Sequence, residues 1–168
     1  HGGATPPPPP PHTSVLTMVH IDAIGAFAKL CGLDVCFCVN AGRGARPYAA
    51  SWDGTQTRAL MLHVAARDLS FRVFEFGNEP NAWPLFHENL IVHPEAYARD
   101  LAEFMRCRDL CAPAARVAAP GTAFWPTLGE VPALGWPKGS WRPIFIRHFL
   151  RRALTCAVSD LDATPDII

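Results

Sequence analysis

Apolar positions recur along this chain with two different periods, and the changes of period mark its elements. Ile21, Ile24, Phe27, Ala28 and Cys31 follow the three-and-four spacing of a helix with one face turned to a core. Thr17 supplies an N-cap hydroxyl for that helix, and Gly32 suits its C-terminal end. Val35 to Val39 is a continuous apolar run, which predicts a strand covered on both faces, and Asn40-Ala41-Gly42 opens a polar loop. A second helix fits Thr55 to Arg67, with Leu60, Met61, Val64 and Ala65 on one side, before a strand from Phe71 to Phe76 that ends at Gly77. Pro94 fits the first turn of a third helix carrying Tyr97, Leu101, Phe104 and Met105. Arg116 to Ala119 reads as a short strand closed by Pro120-Gly121. After a stretch rich in Trp, Pro and Gly, a fourth helix fits about Pro143 to Cys156, with a last strand expected near Val158 to Ala163 or Asp166 to Ile168.

Strands separated by helices of this length predict parallel βαβ units. A (β/α)8 barrel typically needs about 250 residues, and this chain has 168. The expected fold class is therefore α/β, a partial TIM barrel of about half the strands. Residues 1–13 form a separate segment, in which the unbroken run Pro6 to Pro11 must be extended polyproline II. That run serves as a linker or surface loop, or as a docking site for a proline-reading module.

Composition narrows the class without naming a partner. Hydrophobic residues make up 49% and charged residues 18%, which is globular rather than disordered. Fifteen Lys and Arg balance fifteen Asp and Glu, so nothing predicts an electrostatic footprint for nucleic acid or an anionic membrane. Arg142, Arg147, Arg151 and Arg152 cluster late in the chain and read as a solvated helix face. No stretch of about 18 apolar residues predicts a membrane span. The chain opens on His1 rather than Met, as expected of a processed N-terminus or of a fragment. Cys36 and Cys38 would share a strand face, and Cys107 and Cys111 a helix face. Their spacing matches metal-ligand patterns poorly, so buried inert thiols are expected and no metal is assigned.

Chemistry concentrates where the second strand ends, at Phe74-Glu75-Phe76-Gly77-Asn78-Glu79-Pro80-Asn81. In a barrel, reactive groups sit on the loops at the carboxyl ends of strands. Breaking a glycosidic bond requires protonation of the leaving oxygen, and Glu79 carries a carboxyl group suited to that task if burial raises its pKa. Asn78 can bond a sugar hydroxyl beside the reacting carbon. Pro80 predicts an extended backbone at Glu79, which would fix its direction.

Asn-Glu-Pro at a strand end resembles the acid/base motif of retaining glycosidases built on the (β/α)8 barrel. The longer string is similar to heparanase and related β-glucuronidases. Gly32-Leu33-Asp34-Val35 leading into Phe37-Cys38-Val39-Asn40-Ala41 resembles that family's third strand, and Ser51-Trp52 with the helix after it has the family's length. The likeness runs over about Thr13 to Pro120 and implies a domain spanning 14–168 that holds about strands three to six. It implies hydrolysis of a β-linked uronic acid or similar glycoside with retention, a polysaccharide or glycoside as partner, and no cofactor. Secreted, lysosomal or membrane-associated location is the family's expectation.

The chain also departs from that pattern. The family's nucleophile is a second glutamate on a later strand, so the isolated chain is expected to lack turnover. Glu103 and Glu130 read as surface residues rather than substitutes. Ala119-Pro120-Gly121-Thr122-Ala123-Phe124-Trp125-Pro126 lacks the basic groups that suit a sulfated substrate, and Thr164-Pro165-Asp166-Ile167-Ile168 replaces the family's Trp-His-aromatic ending. Alternatives are a non-catalytic carbohydrate-binding remnant and another Asn-Glu-Pro barrel enzyme such as a β-glucanase. Asn40 and Trp83 are further candidates for substrate contact, the first by lining the strand-end rim and the second by stacking on a sugar. Trp125 shares that stacking chemistry, Trp136 and Trp141 read rather as loop anchors, and His87 and His93 read as exposed loop residues. Glu75 shares strand parity with Glu79 and is expected to make a salt bridge inside the barrel. A half-barrel leaves strand edges unpaired, so self-association is expected.

Overall fold

The computed structural model describes residues 15–46, 51–86, 90–123, 146–160 and 163–166. Three strands, β1 (Val35–Val39), β2 (Phe71–Phe76) and β3 (Arg116–Ala118), form one sheet in the order β1-β2-β3, and both pairings are parallel. The crossovers run through α1 (Met18–Cys31), which precedes β1, α2 (Thr55–Ala66), the short α3 (Trp83–Phe86) and α4 (Pro94–Cys111), followed by α5 (Ile146–Thr155). The three strands fall where the pattern predicts, the second helix ends within a residue of expectation and the third begins at Pro94 as expected. The expected fourth strand is absent among the described residues. Cys156–Asp160 continues α5 as a π-helical turn, and the Asp166 carboxylate accepts the Val117 amide at 2.7 Å, covering the outer edge of β3.

Alternation along the strands divides the sheet into two unlike faces. One carries Phe74, Phe76, Val39 and Val117, all buried beneath the helices. Its centre is aromatic: Phe76 stacks on Phe104 at 4.9 Å between ring centroids and meets Trp52 at 5.1 Å and Tyr97 at 5.2 Å. Such ring pairs add roughly 0.5–1.5 kcal/mol each beyond their burial. The other face carries Cys36, Cys38, Val73, Glu75, Arg116 and Ala118, none of them buried. The expectation that β1 is covered on both faces is thus corrected, because Cys36 and Cys38 are exposed. Continuous apolarity came from cysteines, which serve an open face as readily as a core. The α1 stripe is corrected too: Ile21, Gly25 and Ala28 are buried, whereas Phe27 and Cys31 face outward.

The loop from β1 to α2 is fastened to α4 by a buried ion pair. Arg46 Nη2 lies 2.6 Å from Asp100 Oδ2, and Arg46 Nε donates to the Ala41 carbonyl at 2.7 Å. Trp52 donates its indole N–H to the Asn40 carbonyl at 3.0 Å. The carboxyl end of β1 is thereby held beside that of β2, where the candidate site lies.

Candidate active site

Because β1 and β2 are parallel and Val39 pairs with Phe76, Asn40 and the Gly77–Glu79 turn leave the sheet at the same end. Gly77 has φ of +74°, and a Cβ there would stand 2.9 Å from that of Ala41 and 3.1 Å from the Trp83 ring. Only glycine meets both demands, so the chain can turn tightly off β2. The buried Tyr97 hydroxyl donates to the Phe76 carbonyl at 2.7 Å and fixes the last peptide before that turn. Burial raises the Tyr97 pKa well above the ordinary phenol value, so the hydroxyl stays a donor.

Glu79 is not extended, contrary to the expectation drawn from Pro80. Its φ of +51° and ψ of +49° are left-handed, and it caps a 3-10 turn at Pro80–Ala82. Proline disfavours the right-handed helical region for the residue before it, and two hydrogen bonds select the left-handed alternative. The Glu79 amide donates to the Gly121 carbonyl at 2.7 Å, and its own carbonyl accepts from the Ala82 amide at 2.8 Å. A non-glycine residue held this way costs about 1–3 kcal/mol, which the surrounding contacts must offset. The Glu79 side chain is half-buried.

Asn78 is exposed and bridges to Gly121 through its backbone. Its carbonyl accepts the Trp83 indole N–H at 2.7 Å. That bond and 4% exposure correct the reading of Trp83 as a stacking platform. The ring is an anchor under the turn, with its polar edge used internally. Asn40 is exposed, and its side-chain Oδ1 accepts the Gly42 amide at 2.9 Å. It therefore shapes its own loop while standing at the strand-end rim.

Sequence reasoning passed over Asn81. This residue is fully buried, and its carboxamide pairs with both backbone polar groups of one residue in the loop after β3. Oδ1 accepts the Ala123 amide at 2.9 Å and Nδ2 donates to the Ala123 carbonyl at 3.2 Å. Through Gly121 and Ala123, the loop that begins with the cis Ala119–Pro120 peptide is tied to the Glu79 turn at both ends. A carboxamide directly after Asn-Glu-Pro was the available signal.

Glu75 projects from the open face of β2, level with Cys38 and Ala118. Its carboxylate fills the space that a Cβ on Gly121 would take. Among the described residues no cation pairs with it, so the expected salt bridge is not found there. Burial raises its pKa above the usual carboxylate value. A carboxyl whose folded pKa is raised destabilises the fold as it ionises. The penalty is absent below the unfolded pKa of about 4.3 and complete above the folded value. Glu75→Gln should therefore stabilise the chain at neutral pH and leave it unchanged at strongly acidic pH. Urea melts of both forms across that range check this; an equal gain at every pH would exclude the ionisation as cause.

The cysteine pairs do not converge. Cys36 and Cys38 lie on the open face, whereas Cys107 and Cys111 are buried on α4 against the opposite one. Partial burial, with the Glu75 carboxylate and Cys36 adding to it, pushes the Cys38 thiol up to about 11. It is accordingly a poor nucleophile at neutral pH. No group of three or more His, Cys, Asp or Glu side chains suited to a metal occurs among the described residues. Glu103 bonds Arg106 at 2.8 Å on the outer side of α4, and His93 is exposed at that helix's start. His87, Trp125, Glu130, Trp136, Trp141, Arg142 and the proline run lie outside the described residues. No helix among the described residues is long and apolar enough to cross a membrane.

No protein-family model matches the chain, and no curated protein matches it. Among solved structures, the fold is similar to that of a glycoside hydrolase family 44 endoglucanase from Clostridium thermocellum. The TM-score is 0.54 at 12% identity, over 86% of this chain and 36% of that one. The chain thus spans little more than a third of the structure it matches. At that identity the likeness is one of fold alone: a mixed α/β chain whose three-stranded parallel sheet is compatible with part of a barrel, similar to a piece of a glycoside hydrolase.

Proposed function

We propose that this chain is part of a retaining glycoside hydrolase in which Glu79 is the general acid/base. The observation that carries this reading is the Glu79 turn itself. A half-buried carboxyl leaves the carboxyl end of the central strand in a left-handed conformation, clamped to the neighbouring strand's loop. In such a site Glu79 would protonate the departing glycosidic oxygen and later take a proton from water. Asn78 would bond the hydroxyl beside the reacting carbon, and Asn40 would contact substrate from the adjacent rim. A retaining mechanism adds a second carboxylate about 5–5.5 Å from the acid, which forms the covalent glycosyl intermediate. Glu103 does not supply it, being paired with Arg106 on a helix surface. The chemistry calls for no metal or organic cofactor.

The substrate class we assign is a β-linked uronic acid, on the resemblance of the Glu75 to Asn81 string to β-glucuronidases. The second reading, a β-glucan, is favoured by the endoglucanase fold match. The 168-residue chain should show no turnover of an aryl β-glucuronide, because we assign the nucleophile's part to no second carboxylate among the described residues. It should nevertheless bind one of the two sugars. Titration with phenyl β-glucuronide and with cellotriose, followed by amide NMR, should give saturable shifts at Asn40, Asn78, Glu79 and Gly121 with the correct class. Two flat titrations would remove the carbohydrate reading. Turnover that vanishes in Glu79→Gln would instead show that no second carboxylate from outside this chain is needed.

A further inference from the structure

An ionised sugar carboxylate calls for a cation at the rim that receives it, because a charge taken out of water needs a partner. The loops that leave the carboxyl ends of β1, β2 and β3 span residues 40–54, 77–93 and 119–123. Among their described residues, lysine and arginine occur only as Arg43 and Arg46, both after β1. Arg46 is committed elsewhere, buried between the Asp100 carboxylate and the Ala41 carbonyl. Arg43 is exposed.

The support beneath Arg43 is rigid. This residue opens a 3-10 turn, Arg43–Ala45, that leaves β1 at the same end of the sheet as the Glu79 turn leaves β2. The Ala45 amide donates to the Gly42 carbonyl at 3.0 Å, and the Arg46 amide to the Arg43 carbonyl at 3.2 Å. The Asn40 carboxamide packs against the turn: its Oδ1 takes the Gly42 amide, and a Cβ on Gly44 would stand 2.5 Å from its Nδ2. The Asp53 amide donates to the Ala45 carbonyl at 2.7 Å, and the Arg46–Asp100 pair pins the next residue to α4. These bonds fix the backbone of Arg43 before any ligand arrives, so the ordering cost of binding falls on its side chain alone.

We propose that Arg43 is the specificity-determining residue for an acidic sugar, donating two N–H groups to the carboxylate of a uronic acid whose glycosidic oxygen faces Glu79. This role rests on the glycosidase reading and chooses between its two substrate classes. Neighbouring strands lie about 4.8 Å apart, so a sugar ring seated over the end of β2 extends above the turn after β1. A guanidinium matches a carboxylate in planar, bidentate form. The hydroxymethyl group of a β-glucan unit brings no charge to the same place. The basic group that the Ala119 to Pro126 stretch lacks thus comes from the loop after β1, and Asn40 shapes the turn that carries it.

Phenyl β-glucuronide and phenyl β-glucoside differ at one group, carboxylate against hydroxymethyl, and titrating the 168-residue chain with each measures the preference. The glucuronide should bind roughly tenfold more tightly, as a charge-assisted hydrogen-bonded pair at an exposed rim provides. Arg43→Gln should abolish that preference, and Arg43→Lys, which keeps the charge without the fork, should retain part of it. The Arg43 Nε–H signal in NMR spectra should move with the glucuronide and stay still with the glucoside. Arg72→Gln, near the amino end of β2 and beside Asp34, should keep the full preference. A preference that survives Arg43→Gln, or a parent chain that binds both sugars equally or the glucoside more tightly, would overturn the role of Arg43 and leave the glycosidase reading standing. Binding of neither sugar would remove both.

Discussion

Asp100→Ala is expected to cost about 3–5 kcal/mol of stability, a large part of what a domain this size possesses. The carboxylate is buried on α4, its charge balanced by Arg46 at 2.6 Å, and its Oδ1 stands 3.4 Å from the Trp52 amide. Removing one partner of a buried ion pair leaves the other charge in a medium that solvates it poorly. The loss should therefore far exceed that of a surface pair such as Glu103 with Arg106, where Glu103→Ala is worth under about 1 kcal/mol. Urea unfolding of both variants provides the comparison, with the midpoint falling steeply only for Asp100→Ala. Equal, small losses would mean that water reaches the Arg46 guanidinium. The damage should be local as well as global. Trp52 stands between Asp100 and the Asn40 carbonyl, so the amides of the β1–α2 loop should exchange faster while those of β2 follow global unfolding only.

Asn81→Leu keeps the volume of the side chain and deletes both of its bonds to Ala123. The Ala123 amide and carbonyl would remain buried without their partner, at about 1–3 kcal/mol for each unmade group, and a total loss of about 2–4 kcal/mol is expected after partial relaxation. The informative readout is positional. Hydrogen exchange at Ala123 should accelerate and that at Glu79 should follow, because the Glu79 amide is held by Gly121 in the same loop. If Ala123 opens while Glu79 stays protected, the left-handed turn is self-sufficient and Asn81 serves stability alone. Should sugar binding be found in the parent chain, Asn81→Leu should weaken it without removing any group that touches sugar.

Legibility varied with the kind of force at each position. α2 and α4 were readable because their apolar residues recur at helical spacing over a dozen or more positions, and β2 because Gly77 marks its end. The chemistry-bearing string was readable because its residues are consecutive. Asn81 and Asp100 were less so, although each left a trace. Asp100 sits on the same stripe as Tyr97, Leu101 and Phe104, and an acid on a buried stripe calls for a cation. That the cation is Arg46, 54 positions earlier in the numbering, follows from the fold rather than from any local pattern.

The errors share one origin. Trp83, Phe27, Cys36 and Cys38 are side chains whose chemistry suits either side of the surface, and residue type alone assigns no side. Trp83 went inward because its N–H finds the Asn78 carbonyl; the cysteines stayed outward because no described layer covers that face of the sheet. At Glu79 the sequence disfavoured one backbone region through Pro80, and two hydrogen bonds, one local to Ala82 and one to a loop some forty residues downstream, chose among the others. By itself, then, the sequence determined the elements, their parallel order and the carboxyl-bearing strand end, since periodicity and steric exclusion act within a few residues. Only the tertiary structure decided which faces are open, which charges pair and how the Glu79 turn is held, because burial and hydrogen-bond partners are properties of segments distant in the chain.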